Sequence, residues 1–376
     1  MEEIQMRPSY GDFILEQEKK ERRKRRCLIV IVVLVLVLII SVVVGLFLKK
    51  DFSFKDLFPV KNVMGTVEET EQQTEQQIYY SQEELDSLVE KAVQSAKVEA
   101  SIEALAGIKQ YLAEGKSAVE AFRAVYTDDL VIAADGRYHF VPIREDVGHN
   151  DYTTENLQVL ENGEYQYVED GQVTSYKGID VSRFQGKIDW NAVAADGVDF
   201  AFIRVGNRGY GSGAVLQDET FERNIKGANA AGVKAGVYFF SQAVTEAEAI
   251  EEANFVLEQI APYQIECPVV CDMEMIAGDE GRADSLTSEQ RTQLIKTFCD
   301  TIANAGYTPM IYMNLELAAI RINLAELEGY DKWFAYYNPE MYFPYEYKVW
   351  QYSEKGSVAG ISEPVDLNIA FEPIWE

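Results

Sequence analysis

Four acidic residues stand inside apolar, strand-like surroundings: Asp180 in Lys177-Gly-Ile-Asp-Val181, Asp272 and Glu274 in Cys267-Pro-Val-Val-Cys-Asp-Met-Glu274, and Asp366 in Val365-Asp-Leu-Asn368. An unpaired carboxylate is costly in such a setting, so its presence asks for a chemical use. Residues i and i+2 of a strand face the same side, about 6–7 Å apart. Asp272 and Glu274 are therefore expected to project together, with Cys271, Met273 and Met275 turned to the opposite face. One buried carboxylate could simply satisfy Arg204; four at three strand ends weaken that explanation. The strand ends add the aromatics Tyr238, Phe240, Tyr312, Tyr336, Tyr337 and Trp350 and the amides Asn314, Asn338 and Gln351. From this set Tyr238, Phe240, Tyr312, Asn314, Tyr336, Asn338, Trp350, Gln351 and Arg204 are expected to line a binding site. The combination suits sugar hydrolysis: a carboxyl of raised pKa protonates the glycosidic oxygen, a second group stabilises positive charge on the ring, and flat side chains stack on pyranose faces. His139 and His149 are the only histidines and both precede these segments, which excludes a Ser-His-Asp triad or a His-ligated metal there. No cofactor or metal is expected.

Positioning these acids requires strands, and the chain after Ser175 supplies them in alternation with helices. Apolar runs at 177–181, 199–205, 234–240, 267–274 and 308–313 alternate with helical patterns at 190–195, 219–231, 246–259 and 288–305. Such alternation predicts a parallel sheet. Runs at 332–337, 348–352 and 366–371 follow with little helix between them. The fold class predicted is α/β, an irregular TIM-like (β/α) barrel over residues 175–376, with the four acids at the carboxyl ends of its strands. An open doubly wound sheet is the alternative, but the glycine-rich 206–213 lacks a nucleotide fingerprint and reads as a flexible loop.

The charge is uneven. The chain of 376 residues has a formal charge of −28; residues 1–50 carry +4 and the remainder −32. An acidic excess of this size argues against nucleic-acid binding. Residues 1–27 are read as a cytoplasmic basic tail. The uncharged run 28–48 is about 31 Å long as a helix, enough for a transmembrane signal anchor with everything after Lys50 outside the cell membrane. Residues 49–80 read as a polar linker. Residues 81–174 read as a small membrane-proximal α+β or stalk module, with a helix to about Gly115 that could pair as a homodimer through 81–115 or, since its repeat breaks near Glu99, pack on its own small domain, and with short strands around Asp135-Gly136 and Asp170-Gly171. Cys267, Cys271 and Cys299 are expected to be buried thiols, and Cys27 abuts the apolar run on its basic side.

The blocks Gly178-Ile-Asp-Val-Ser-Arg-Phe-Gln-Gly-Lys-Ile-Asp-Trp190, Phe202-Ile-Arg-Val205, Gly236-Val-Tyr-Phe-Phe-Ser241, Pro268-Val-Val-Cys-Asp-Met-Glu274, Gly306-Tyr-Thr-Pro-Met-Ile-Tyr312 and Trp350-Gln-Tyr-Ser353 with Val365-Asp-Leu-Asn368 resemble glycoside hydrolase family 25, the bacterial and phage lysozymes or N-acetylmuramidases. The resemblance covers Tyr176 to the C-terminus. It implies cleavage of the β-1,4 bond between N-acetylmuramic acid and N-acetylglucosamine in peptidoglycan glycan strands. By position it implies Glu274 as general acid and Asp272 as the group orienting a participating 2-acetamido group. Asp180 and Asp366 would complete an acidic floor, with Asp180 also open as base or nucleophile. Two other readings compete: a catalytically inactive glycan-binding ectodomain, against which the four acids speak, and a polysaccharide deacetylase, which would need His metal ligands.

Overall fold

Runs rich in Val, Ile, Phe and Tyr between helix-capping signals pair into a closed barrel of eight strands: β6 (Tyr176–Val181), β7 (Phe200–Arg208), β9 (Lys234–Phe240), β10 (Val269–Asp272), β11 (Pro309–Asn314), β12 (Asp331–Ala335), β13 (Val349–Gly356) and β14 (Val365–Ala370). This computed structural model describes residues 82–375, apart from 277 and 279. The expected segments 1–27, 28–48 and 49–80, with Cys27, lie outside them. Among the described residues no helix is long and apolar enough to cross a membrane.

Neighbouring strands run parallel from β6 through β13, and β14 closes the barrel antiparallel to both β13 and β6. The expected TIM-like barrel is thus irregular in one strand direction as well as in its helices. The glycine-rich stretch expected as a loop is the turn of a hairpin, since β7 continues to Arg208 and pairs with β8 (Val215–Gln217). Four helices cover the first half of the barrel wall: α3 (Trp190–Ala195), α4 (Phe221–Ala231), α5 (Glu246–Ile260) and α6 (Ser288–Asn304). Three of their starts are fixed chemically, by Asp189 and Thr245 as N-caps and by a Thr287–Gln290 capping box.

Strand alternation sorts the core into two layers. Phe200, Phe202, Val270, Met310, Tyr312, Trp333, Val349 and Ala370 fill the barrel interior, with Phe202 stacked on Trp333 at 4.6 Å. Ala201, Ile203, Val237, Val269 and Cys271 face outward onto the helices. Gly178 is needed on β6 because a Cβ there would run into the Phe200 ring. Cys267, Cys271 and Cys299 are buried free thiols.

Among the described residues the second half of the wall is covered by no α-helix, only by the short turns Leu317–Arg321 and Leu324–Leu327 after β11. Residues 118–175 take that place. They comprise α2 (Ala118–Val125), a hairpin of β1 (Asp129–Ala134) and β2 (Arg137–Pro142), and a small sheet of β3 (Leu157–Val159), β4 (Tyr165–Glu169) and β5 (Gln172–Val173). Asp135-Gly136 and Asp170-Gly171 both sit at positive φ, as tight hairpin turns need. Tyr152 stacks on Phe371 at 3.9 Å and Tyr165 on Tyr352 at 4.6 Å. Asn150 Nδ2 donates to the carbonyls of Phe343 and Tyr345. The stretch expected as a separate module up to residue 174 is therefore packed on the barrel as part of one unit, residues 82–376. Helix α1 (Gln82–Ala113) precedes it, with its C-terminal end packed on α2 and most of its length exposed.

Candidate active site

The parallel strands all end on one side, and β14, being reversed, brings its amino end there. Asp366 is thus the second residue of β14, paired across the ladder with Asp180, rather than the carboxyl-end residue expected. β10 stops at Asp272, so Glu274 sits two residues beyond the strand and projects from the following loop. All four acids line one cavity of about 350 Å³.

Asp180 is held from two directions. Gln351 Nε2 donates to its Oδ2 at 2.8 Å, and Asn368 Nδ2 donates to the same oxygen at 2.9 Å. Each amide is itself oriented. The hydroxyls of Tyr312 and Tyr337 donate to Gln351 Oε1 at 2.9 and 2.7 Å, and Trp333 Nε1 donates to Asn368 Oδ1 at 2.8 Å. An indole can only donate, so Asn368 must turn its NH₂ toward Asp180. Burial raises the Asp180 pKa while these two amides act to lower it.

The remaining acids are raised as well. Asp366 is pushed up to about 9 by burial and by the charge of Asp180, with which it shares a hydrogen bond. Burial carries Glu274 up to about 7, against a lowering hydrogen bond with Asp272. Asp272 lies well above the ordinary range through burial and the neighbouring charge of Glu274. The site thus holds two proton-sharing carboxyl pairs, the arrangement in which like charges cannot all ionise. Asp272 Oδ1 is buried without a hydrogen-bond partner.

Of the expected binding residues, Arg204, Tyr238, Phe240, Tyr312 and Gln351 line the cavity. Arg204 is held there by Asp218, at 2.6 and 2.8 Å. Four others do not reach it. Trp350 sits on the outward phase of β13 and Tyr336 just past the end of β12, where Trp350 Nε1 donates to the Tyr336 carbonyl and Arg123 Nη1 donates to the Tyr336 hydroxyl. Asn314 Oδ1 accepts from Leu317 N, starting the turn after β11, and Asn338 Oδ1 accepts from Glu340 N in an exposed loop. The cavity gains residues instead: Tyr337, the Trp333 floor, Glu354, and Phe184 of the turn after β6. Phe184 and Tyr337 are 64% and 51% exposed at the rim, and Arg183 and Arg204 lie over the Phe184 ring at 5.1 and 5.2 Å. Among the described residues no group of three or more His, Cys, Asp or Glu is arranged to hold a metal ion.

Residues 179–361 match the model for glycosyl hydrolases family 25. Over 205 residues the chain is 31% identical to the uncharacterized protein YegX of Escherichia coli K12, covering 51% of this chain and 68% of that one. The chain belongs to glycosyl hydrolase family 25. This family 25 member is also 28% identical over 193 residues to the autolytic lysozyme of Clostridium acetobutylicum, covering 51% of this chain and 55% of the relative, so it spans about half of that protein's length. Among solved structures, the modular autolysin LytC of Streptococcus pneumoniae aligns with a TM-score of 0.47 at 24% identity, over 64% of this chain and 57% of that one.

Proposed function

We propose that the protein is a peptidoglycan hydrolase, an N-acetylmuramidase that cuts the β-1,4 bond after N-acetylmuramic acid. The observation that carries this reading is the cavity itself, in which two proton-sharing carboxyl pairs face rim aromatics suited to stacking on sugars. Likeness to an autolytic lysozyme supports the same substrate. With its pKa near 7, Glu274 keeps a proton in slightly acidic and neutral surroundings and can deliver it to the glycosidic oxygen. Asp272, beside Glu274 in the cavity, would orient the substrate's acetamido group and turn its carbonyl toward the anomeric carbon. Asp180, fixed by two amide donors, is the acid best supported as an ion, and its negative charge stabilises the developing oxocarbenium ion.

The reading extends to location. The basic segment and the uncharged run 28–48 support a single-pass anchor that holds the barrel outside the cell membrane. Exposed apolar residues on α1, such as Val89 and Ile102, support pairing with a second copy; sedimentation of the full chain in detergent as a monomer would remove that part. The activity is tested by incubating the full chain with purified peptidoglycan and identifying the new reducing ends. N-acetylmuramic acid ends are expected, falling by about 10²–10⁴-fold in Glu274→Gln. A wild-type chain that binds glycan strands without cutting them, or that leaves N-acetylglucosamine ends, overturns the proposal.

A further inference from the structure

Glu274 lies past the last rung of its strand, so the barrel ladder does not hold it. The side chain of Gln242, fully buried just beyond β9, reaches it instead. Gln242 Nε2 donates to the Glu274 carbonyl at 3.2 Å, and Gln242 Oε1 accepts from Ala283 N at 3.3 Å. One amide thereby ties both sides of the loop after Glu274 to the end of β9. Its orientation is fixed, because a flipped amide would set NH₂ against N–H and oxygen against oxygen. Gly281 packs so close to Gln242 Oε1 that a Cβ there would crowd it.

Behind the amide lies a second layer. Ser241 N donates to the Asp272 carbonyl at 2.7 Å, and Ser241 Oγ donates to Glu252 Oε2 at 2.5 Å. Glu252, fully buried on α5, also receives Arg208 Nε at 2.7 Å. Consecutive residues of β9's end thus hold the backbones of both Asp272 and Glu274, and a buried ion pair holds them in turn. Such an ion pair is strongly destabilised when one partner is removed, which suits a brace that must not drift.

We infer that Gln242 is a positioning residue for the acid, a clamp on the Glu274 carbonyl that sets where its carboxyl stands against Asp272. The inference rests on the proposed hydrolase reading. Gln242 does not itself line the cavity, so it acts through Glu274 and the loop that follows it. The test uses the full chain, cutting soluble glycan oligomers prepared from peptidoglycan, over a range of pH. Gln242→Met fills the same space without either hydrogen bond. It is expected to lower kcat by about 10- to 100-fold, the loss typical of a misplacement near 1 Å. KM is expected to stay within about threefold, because no substrate contact is removed. The alkaline limb of the rate profile should move to lower pH, since a loosened Glu274 gains water and gives up its proton more easily. Gln242→Glu offers donor and acceptor in the same places while protonated. It should recover rate at acid pH and lose it as the new carboxyl ionises. A folded Gln242→Met with kcat within twofold of wild type and an unmoved alkaline limb overturns the clamp. If that variant does not fold, a Gln242→Glu chain with the wild-type alkaline limb does the same. Wild-type inactivity on the same oligomers would instead strike the hydrolase reading itself, so the two failures are distinct.

Discussion

Replacing Asn368 by leucine tests the reasoning about Asp180 most sharply. The side chain is fully buried, donates to Asp180 Oδ2 at 2.9 Å and accepts from Trp333 Nε1 at 2.8 Å. Leucine has nearly the same size, so no large cavity opens and the change is mainly one of hydrogen bonding. A bond to a charged group contributes about 1.5–3 kcal/mol, and the stranded indole N–H costs about 1–3 kcal/mol. Together these give about 2.5–6 kcal/mol of lost stability at neutral pH, among the larger effects of single substitutions. The loss should shrink in acid, where Asp180 is protonated and needs fewer donors. With one of its two amide donors gone, the Asp180 pKa moves further upward, so the acid limb of the activity profile shifts to higher pH. Equilibrium urea unfolding at pH 4 and pH 7, together with rates on peptidoglycan across pH, reads both effects. A variant within about 0.5 kcal/mol of wild type, with its acid limb unmoved, would refute the claim that Asn368 holds Asp180 as an ion.

Two further outcomes follow from the cavity. Asp366 and Glu274 are raised in the folded state, to about 9 and about 7. Between the ordinary carboxyl range and those values the folded chain therefore binds more protons than the unfolded one. Their contribution to stability is fully present below the unfolded pKa and is lost as pH rises through 7 and then 9. Asp366→Asn should flatten the upper part of that decline in a melting-temperature series from pH 5 to 9; an unchanged slope would contradict the shared proton with Asp180. At the rim, Tyr337→Ala should raise KM for glycan oligomers several-fold and lower kcat, since Tyr337 both exposes a ring face and orients Gln351. Tyr336→Phe should leave both constants near wild type and lower the melting temperature instead, through the lost Arg123 bond; the opposite ranking would return Tyr336 to the site.

The eight strands and four helices could be read from periodicity because each apolar run ends in a capping or turn signal. The four acids could be found because a carboxylate amid Val, Ile and Cys is conspicuous. Side-chain phase was harder. Trp350 and Gln351 are adjacent on β13 and cannot both face the cavity, yet both are attractive by type. The phase is settled only by pairing, which puts Trp333, Ala335 and Gln351 inside and turns Phe334 and Trp350 out. The reversed β14 had a signal in its connection: residues 357–364 are too few for a parallel crossover of a dozen or more. Asn368 had one too, two residues from Asp366 and so on the same face. Phe184 and Gln242 had none, because one is placed by a 3₁₀ turn and the other by a loop that returns across it.

Residues 331–352 hold ten aromatics, and most of them are glue for residues 118–175. That glue sets the smallest unit that works. Removing residues 118–175 would not leave the barrel as it stands. It would strip the cover from Phe371, Tyr352 and Tyr347, which meet Tyr152, Tyr165 and Tyr167 across the wall. The strands so uncovered, β13 and β14, carry Gln351, Asp366 and Asn368. A barrel that begins at residue 176 is therefore expected to lose activity, whereas a chain that begins at residue 82 is expected to keep it.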